Sequence, residues 1–242
     1  MNRYRYLCGL AVLSMLLSGC SSSPHGQPQK DSEAVAPDQI LEFATLYSQN
    51  CAGCHGAQGR GGAAIALADP VYLAIVNEAS MRKVIANGVH GTSMPAFAQS
   101  AGGMLTDKQI DAITSGMLSR WAHNEVLDGS NPPSYAATTP GNAANGELVY
   151  GKYCASCHGP EGQGTRKGSA VTNDSFLALV SDQGLRTIVI AGRPELGAPD
   201  WRANVPGKPM ANQEITDVVA WLASRRVQNP GQPYSASNYS QH

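Results

Sequence analysis

The chain is short of charge, of aromatic side chains and of long apolar runs, and each shortage narrows what it can be. Charged residues are 14% of its 242, the formal net charge is −1, and no basic block occurs. The electrostatic footprint of a nucleic-acid-binding protein is therefore missing. The same evenness provides no strong field to steer a docking partner. Three Phe and three Trp are a thin aromatic supply for a chain with room for two small domains. The longest N-terminal apolar stretch, residues 7–17, falls well below the roughly twenty residues a helix needs to cross a hydrocarbon core. Cysteine is also scarce: past residue 20 only Cys51, Cys54, Cys154 and Cys157 remain.

Those four cysteines are what the chain does have, and a histidine follows each pair. Cys51-x-x-Cys54-His55 and Cys154-x-x-Cys157-His158 repeat one pattern in which two thiols three positions apart can add to the two vinyl groups of a single porphyrin. The adjacent imidazole then meets the iron. Zinc ribbons place their two pairs about fifteen to twenty residues apart, whereas these are 103 apart. A thioredoxin-like dithiol would need a βαβ setting, which neither motif has, and would not explain the histidines. The reading is two covalently bound haem c groups, which would also supply apolar bulk that the few aromatics do not. With every thiol after residue 20 committed in this way, no disulfide is expected.

Residues 1–19 read as a signal peptide: Arg3 and Arg5 precede the apolar stretch, which is too short for a span. The ending Leu17-Ser18-Gly19-Cys20 resembles the bacterial lipoprotein cleavage box and implies a lipidated Cys20, with ordinary signal-peptidase cleavage nearby as the alternative. Several acyl chains would anchor the protein durably where one would not. The expected location is the periplasmic side of a bacterial membrane. Ser21 after the lipid cysteine, where Asp would favour inner-membrane retention, points to the outer one.

The chain also repeats itself. The segment from Tyr47 to Gly56 matches that from Tyr150 to Gly159 at an offset of 103, Arg82, Gly88 and Pro95 match Arg186, Gly192 and Pro199 at 104, and Ile110 matches Ile215 at 105. This is a duplicated domain. Pro- and Gly-rich composition divides the chain into a flexible tether at 20–36, a first domain at 37–127, a linker at 128–141, a second domain at 142–228 and an irregular tail at 229–242. Each repeat reads as all-α. Ile40, Phe43, Ala44 and Tyr47 have helical spacing with Asp38 as a possible N-cap. Apolar periodicity runs over 72–87 and 175–191, ending at Gly88 and Gly192. Thr106 and Gln109 form a capping box ahead of the Ile110, Ile113 and Met117 stripe, and Ile215, Val218, Val219 and Leu222 take the equivalent face.

Each repeat resembles a class I cytochrome c domain: an N-terminal helix, C-x-x-C-H-G, a distal methionine loop and a C-terminal helix, covering residues 37–226. The resemblance implies crossed terminal helices and a methionine sulfur as sixth iron ligand. In the first repeat Gly91-Thr92-Ser93-Met94-Pro95-Ala96-Phe97 matches the family's distal loop and names Met94, with Met104 and His90 as competitors. In the second, the gapless offset sets Ala198-Pro199 against Met94-Pro95, and alanine cannot bind iron. Met210, reached through a re-routed and longer loop, is then the expected ligand; an open iron or Lys208 are the alternatives. Arg82 and Arg186 read as solvated helix-face residues, with contact to haem propionates as the other reading. The implied function is single-electron transfer between redox protein partners: a respiratory complex, dehydrogenase, oxidase or reductase. Alternatives are a subunit of a larger complex, or a haem enzyme, peroxidase-like or gas-binding, that uses an open second iron.

Overall fold

The computed structural model describes residues 35–228 and Pro230. The signal peptide, Cys20, nearly all of the tether and, apart from Pro230, the tail lie outside the described residues. The described residues from Ile40 onward form one compact unit that contains both repeats. Among the described residues the secondary structure is helical, apart from two isolated bridges at Ala98–Leu105 and Arg193–Ala198.

Among the described residues, ten α-helices fall into two series of five with the same order. The first is α1 (Phe43–Asn50), α2 (Ala52–His55), α3 (Pro70–Ile75), α4 (Glu78–Asn87) and α5 (Asp107–Trp121). The second is α6 (Ala143–Tyr153), α7 (Ala155–His158), α8 (Asp174–Leu179), α9 (Asp182–Ala191) and α10 (Asn212–Ser224). Helix α1 begins later than its apolar spacing suggests. Asp38 lies in a separate 3₁₀ turn, Pro37–Gln39, and it is the Glu42 carboxylate that accepts from the Ala44 and Thr45 N–H groups. The periodic stretches 72–87 and 175–191 are each two helices. Val76 and Val180 are extended, and the next helix restarts on a side-chain cap: Asn77 accepts from the Ser80 N–H at 2.7 Å, Ser181 from the Gly184 N–H at 3.0 Å. Short polar side chains offer the backbone a local alternative to the helix, and apolar spacing does not register it. The Thr106 capping box stands as the sequence implies, with both reciprocal bonds formed.

In each half the first and last helices cross closely. Gly116 of α5 faces Phe43, and a Cβ there would lie 2.2 Å from the ring; one on Gly146 of α6 would lie 2.0 Å from the Asp217 carbonyl oxygen of α10. Ile110, Ile113, Ile215 and Val218 seal these crossings at zero exposure. Burial of such a side chain contributes about 1.5–3 kcal/mol. Trp121 meets the rings of Phe43 and Tyr47 edge-on, while Trp221 stacks on Tyr150 at 4.2 Å.

The two halves share one core. Helix α3 packs against α9 and against the 3₁₀ turn Asn124–Leu127. The Pro-rich stretch between the halves is laid down on this body. Arg186, which the sequence suggests is solvated, is 2% exposed and donates to the Ser134 and Tyr135 carbonyls and to Thr216 Oγ1. Arg82 is the surface member of the pair, bound to Asp107 and Asp111. Two further arginines cross between halves: Arg202 Nη1 to the Val126 carbonyl at 2.8 Å, and Arg193 Nη2 to the Gly62 carbonyl at 3.2 Å.

Candidate haem sites

Both C-x-x-C-H motifs fold the same way. Cys51 ends α1 and starts the one-turn helix α2, with φ −118° and ψ −37°; Cys154 does the same between α6 and α7 at −120° and −35°. The turn closes by a bond from the histidine N–H to the first cysteine's carbonyl, 3.0 Å in both halves. Cys54 and Cys157 are exposed while Cys51 and Cys154 are partly covered, and none of the four is in a disulfide. Burial first, then the neighbouring cysteine, pushes Cys51 up to about 11 and Cys154 up to about 12. Before haem is attached they are neutral thiols in a neutral solution, unlike the thiolates of a reactive dithiol. Among the described residues no group of three or more His, Cys, Asp or Glu side chains is placed to hold a metal ion by itself.

The imidazoles are oriented from behind. His55 Nδ1 lies 2.8 Å from the Ile65 carbonyl oxygen and His158 Nδ1 lies 2.7 Å from that of Ser169. A carbonyl only accepts, so Nδ1 carries the proton and the Nε2 lone pair is presented. Burial also pulls His55 below its ordinary pKa, against the Ile65 carbonyl, which keeps it a neutral ligand. Glycine keeps these sites clear. A Cβ on Gly62 would lie 2.1 Å from the Cys54 carbonyl oxygen, and one on Gly168 would lie 2.9 Å from the His158 ring. Two thiols at the right spacing beside one imidazole oriented through Nδ1 form the donor set that a covalent haem c requires, and each half has it.

A tyrosine backs each site. Tyr47 donates to the Gly56 carbonyl at 2.9 Å and Tyr150 to that of Gly159 at 2.7 Å, in both cases the glycine after the histidine. Burial pushes both hydroxyls up to about 12, so they remain donors. The repeat aligns these tyrosines, nine residues ahead of the glycine they hold, but gives them no role. That constant spacing was the available signal.

The distal sides differ. Met94 is half-buried in a loop closed by the bond from the Val89 N–H to its own carbonyl, and its N–H is 3.2 Å from Thr92 Oγ1. Of its competitors, Met104 is 79% exposed and His90 is exposed. Met210 is buried at the start of α10. Its N–H donates to the Trp201 carbonyl, and its sulfur lies 3.9 Å from Asn204 Nδ2. Lys208 is exposed in the preceding turn.

Duplicated five-helix halves, each with thiol pair and imidazole, define a tandem c-type cytochrome. A family model described as cytochrome c oxidase, cbb3-type, subunit III, matches residues 38–115 and 141–222, and the chain belongs to that family. Its cofactors are two covalently bound haem c groups. A cbb3-type cytochrome c oxidase subunit CcoP of Azospirillum sp. (strain B510) is 36% identical over 141 residues, 52% of this chain and 43% of that protein. A subunit FixP of Sinorhizobium medicae (strain WSM419) is 26% identical over 196 residues, 75% of this chain and 62% of the relative. The chain thus spans less than two thirds of the length of either. Among solved structures, the Kuenenia stuttgartiensis reducing HAO-like protein complex Kustc0457/Kustc0458 aligns with 78% of this chain and 97% of its own at 18% identity, with a TM-score of 0.46. No helix among the described residues is long and apolar enough to cross a membrane.

Proposed function

We propose that the chain is a dihaem electron carrier on the periplasmic side of a bacterial membrane, tethered through Cys20 and passing single electrons to an oxidase of the cbb3 type. The observation that carries this reading is the proximal site built twice, with the same backbone turn and the same Nδ1–carbonyl bond. The relatives' names supply the partner. A respiratory oxidase works at the inner membrane, so that membrane is proposed in place of the outer one that Ser21 suggests.

In this reading Cys51 and Cys54 hold one haem and Cys154 and Cys157 the other, within domains 37–127 and 142–228. Bound haem c supplies a one-electron couple whose potential is raised by histidine–methionine ligation. His55 and His158 present Nε2 because their Nδ1 protons are engaged, and Met94 offers its sulfur from the closed loop above the first site. Docking of the halves on one core favours a short relay over two free carriers.

Pyridine haemochrome assay of the full chain, matured in an oxidising compartment, should give two haems per chain, and a Cys154→Ser/Cys157→Ser variant one. The reduced protein should then be reoxidised by a purified cbb3-type oxidase under air. Two haems with no oxidase-dependent reoxidation would remove the proposed partner, and one haem in the parent chain would remove the dihaem reading.

A further inference from the structure

Resting on the haem-binding reading above, we propose that the second half supplies no side chain to the distal face of its haem, leaving a site there for a neutral diatomic gas. The backbone first fixes which residue stands where Met94 stands. In the first half, the Val89 N–H donates to the Met94 carbonyl at 3.0 Å; in the second, the Arg193 N–H donates to the Ala198 carbonyl at 2.9 Å. The two loops have equal length. Each is preceded by a glycine of positive φ, Gly88 at 66° and Gly192 at 73°. A Cβ on Gly88 would lie 2.6 Å from the Met94 carbonyl oxygen, and one on Gly192 would lie 2.7 Å from that of Ala198 and 2.5 Å from that of Pro199. Ala198-Pro199 therefore occupies the place of Met94-Pro95 without a shift in register.

Met210, the sequence-based choice of ligand, fills a different slot. Its N–H bonds to the Trp201 carbonyl at 2.9 Å, as the Leu105 N–H bonds to the Phe97 carbonyl at 2.7 Å. Both acceptors are themselves tied to the preceding helix by N–H bonds of 3.1 Å, Phe97 to the Ile85 carbonyl three residues before Gly88 and Trp201 to the Ile190 carbonyl two residues before Gly192. Met210 and Leu105 each immediately precede the N-cap of the closing helix, Ala211 and Thr106, and are 3% and 5% exposed in the core. The second loop is longer by one residue between Trp201 and Met210, and the surplus goes into the exposed turn around Gly207 and Lys208. Met210 does the packing work of a leucine.

The ligand class follows from iron chemistry. A ferrous haem with an unclaimed axial position takes neutral diatomic gases, and carbon monoxide is the probe. The test uses the full chain, after pyridine haemochrome has established two haems, so that failed haem attachment is read separately. CO difference spectra of the reduced protein should show about half of the haem binding CO. Met210→Leu, a volume-conserving change that cores tolerate, should leave that fraction and the methionine-to-iron absorption band unchanged. Ala198→Met should abolish most CO binding and add a second methionine-to-iron contribution. Absence of CO binding in the two-haem parent would overturn the proposal. So would its appearance only in Met210→Leu or Lys208→Ala, which would identify that residue as the ligand.

Discussion

At the scale of single residues, the molecule relies on polar groups that are buried and fully engaged. Asp217 of α10 is 2% exposed and accepts from the Asn142 N–H, from Asn145 and from Gln213. Burial by itself would raise its pKa, but these three donors outweigh it and hold the carboxyl below its ordinary value. A depressed carboxylate contributes stability that is complete above the unfolded value of about 4 and is lost as pH falls through the folded one. Asp217→Asn should therefore cost about 1–3 kcal/mol at pH 7 and should lose less than the parent between pH 4 and pH 3. Denaturant midpoints at those three pH values check it. At this scale the proximal residues were legible because covalent chemistry fixes their spacing. The role of Met210 was not, because a buried core methionine and a ligand methionine look alike in a sequence. The backbone bonds that pair it with Leu105 are what the proposal above rests on.

At the scale of elements, the close helix crossings rest on two glycines. Gly146→Ala would raise intrinsic helix propensity by up to about 1 kcal/mol, yet its Cβ would meet the Asp217 carbonyl oxygen at 2.0 Å and the Trp221 side chain at 2.8 Å. Neither helix can yield without parting Val218 and Ile215 from the core. A net loss of about 1–3 kcal/mol is expected, visible as a lower Tm, with haem content per folded chain retained. Helix existence and the closing faces were readable from apolar spacing, and the α5 start from its capping box. The breaks at Val76 and Val180 were missed because the apolar rhythm continues across them while Asn77 and Ser181 end the hydrogen-bond ladder.

At the scale of the whole molecule, the stretch between the halves is a structural part of the body. Arg186→Ala would remove the buried guanidinium that donates to the Ser134 and Tyr135 carbonyls and to Thr216 Oγ1, and breaking a buried hydrogen-bond network of this kind is among the larger single-residue losses. The variant should lose about 3 kcal/mol and become cleavable by protease between residues 128 and 141 faster than the parent. Unfolding followed by circular dichroism and timed proteolysis measure both. Composition reads this stretch as a linker, whereas its docking depends on partners about fifty or more positions away, beyond any local signal.

Arg193, whose side chain reaches the Gly62 carbonyl of the other half, opens the same loop that ends at Ala198, and its counterpart in the first copy is Val89. The repeat holds two versions of one loop. One carries Met94; the other has Ala198 in that place and an arginine that reaches the first half. Such differences within one six-residue loop mean that the halves are not interchangeable. A chain assembled from two copies of either one would lack something the natural pair has.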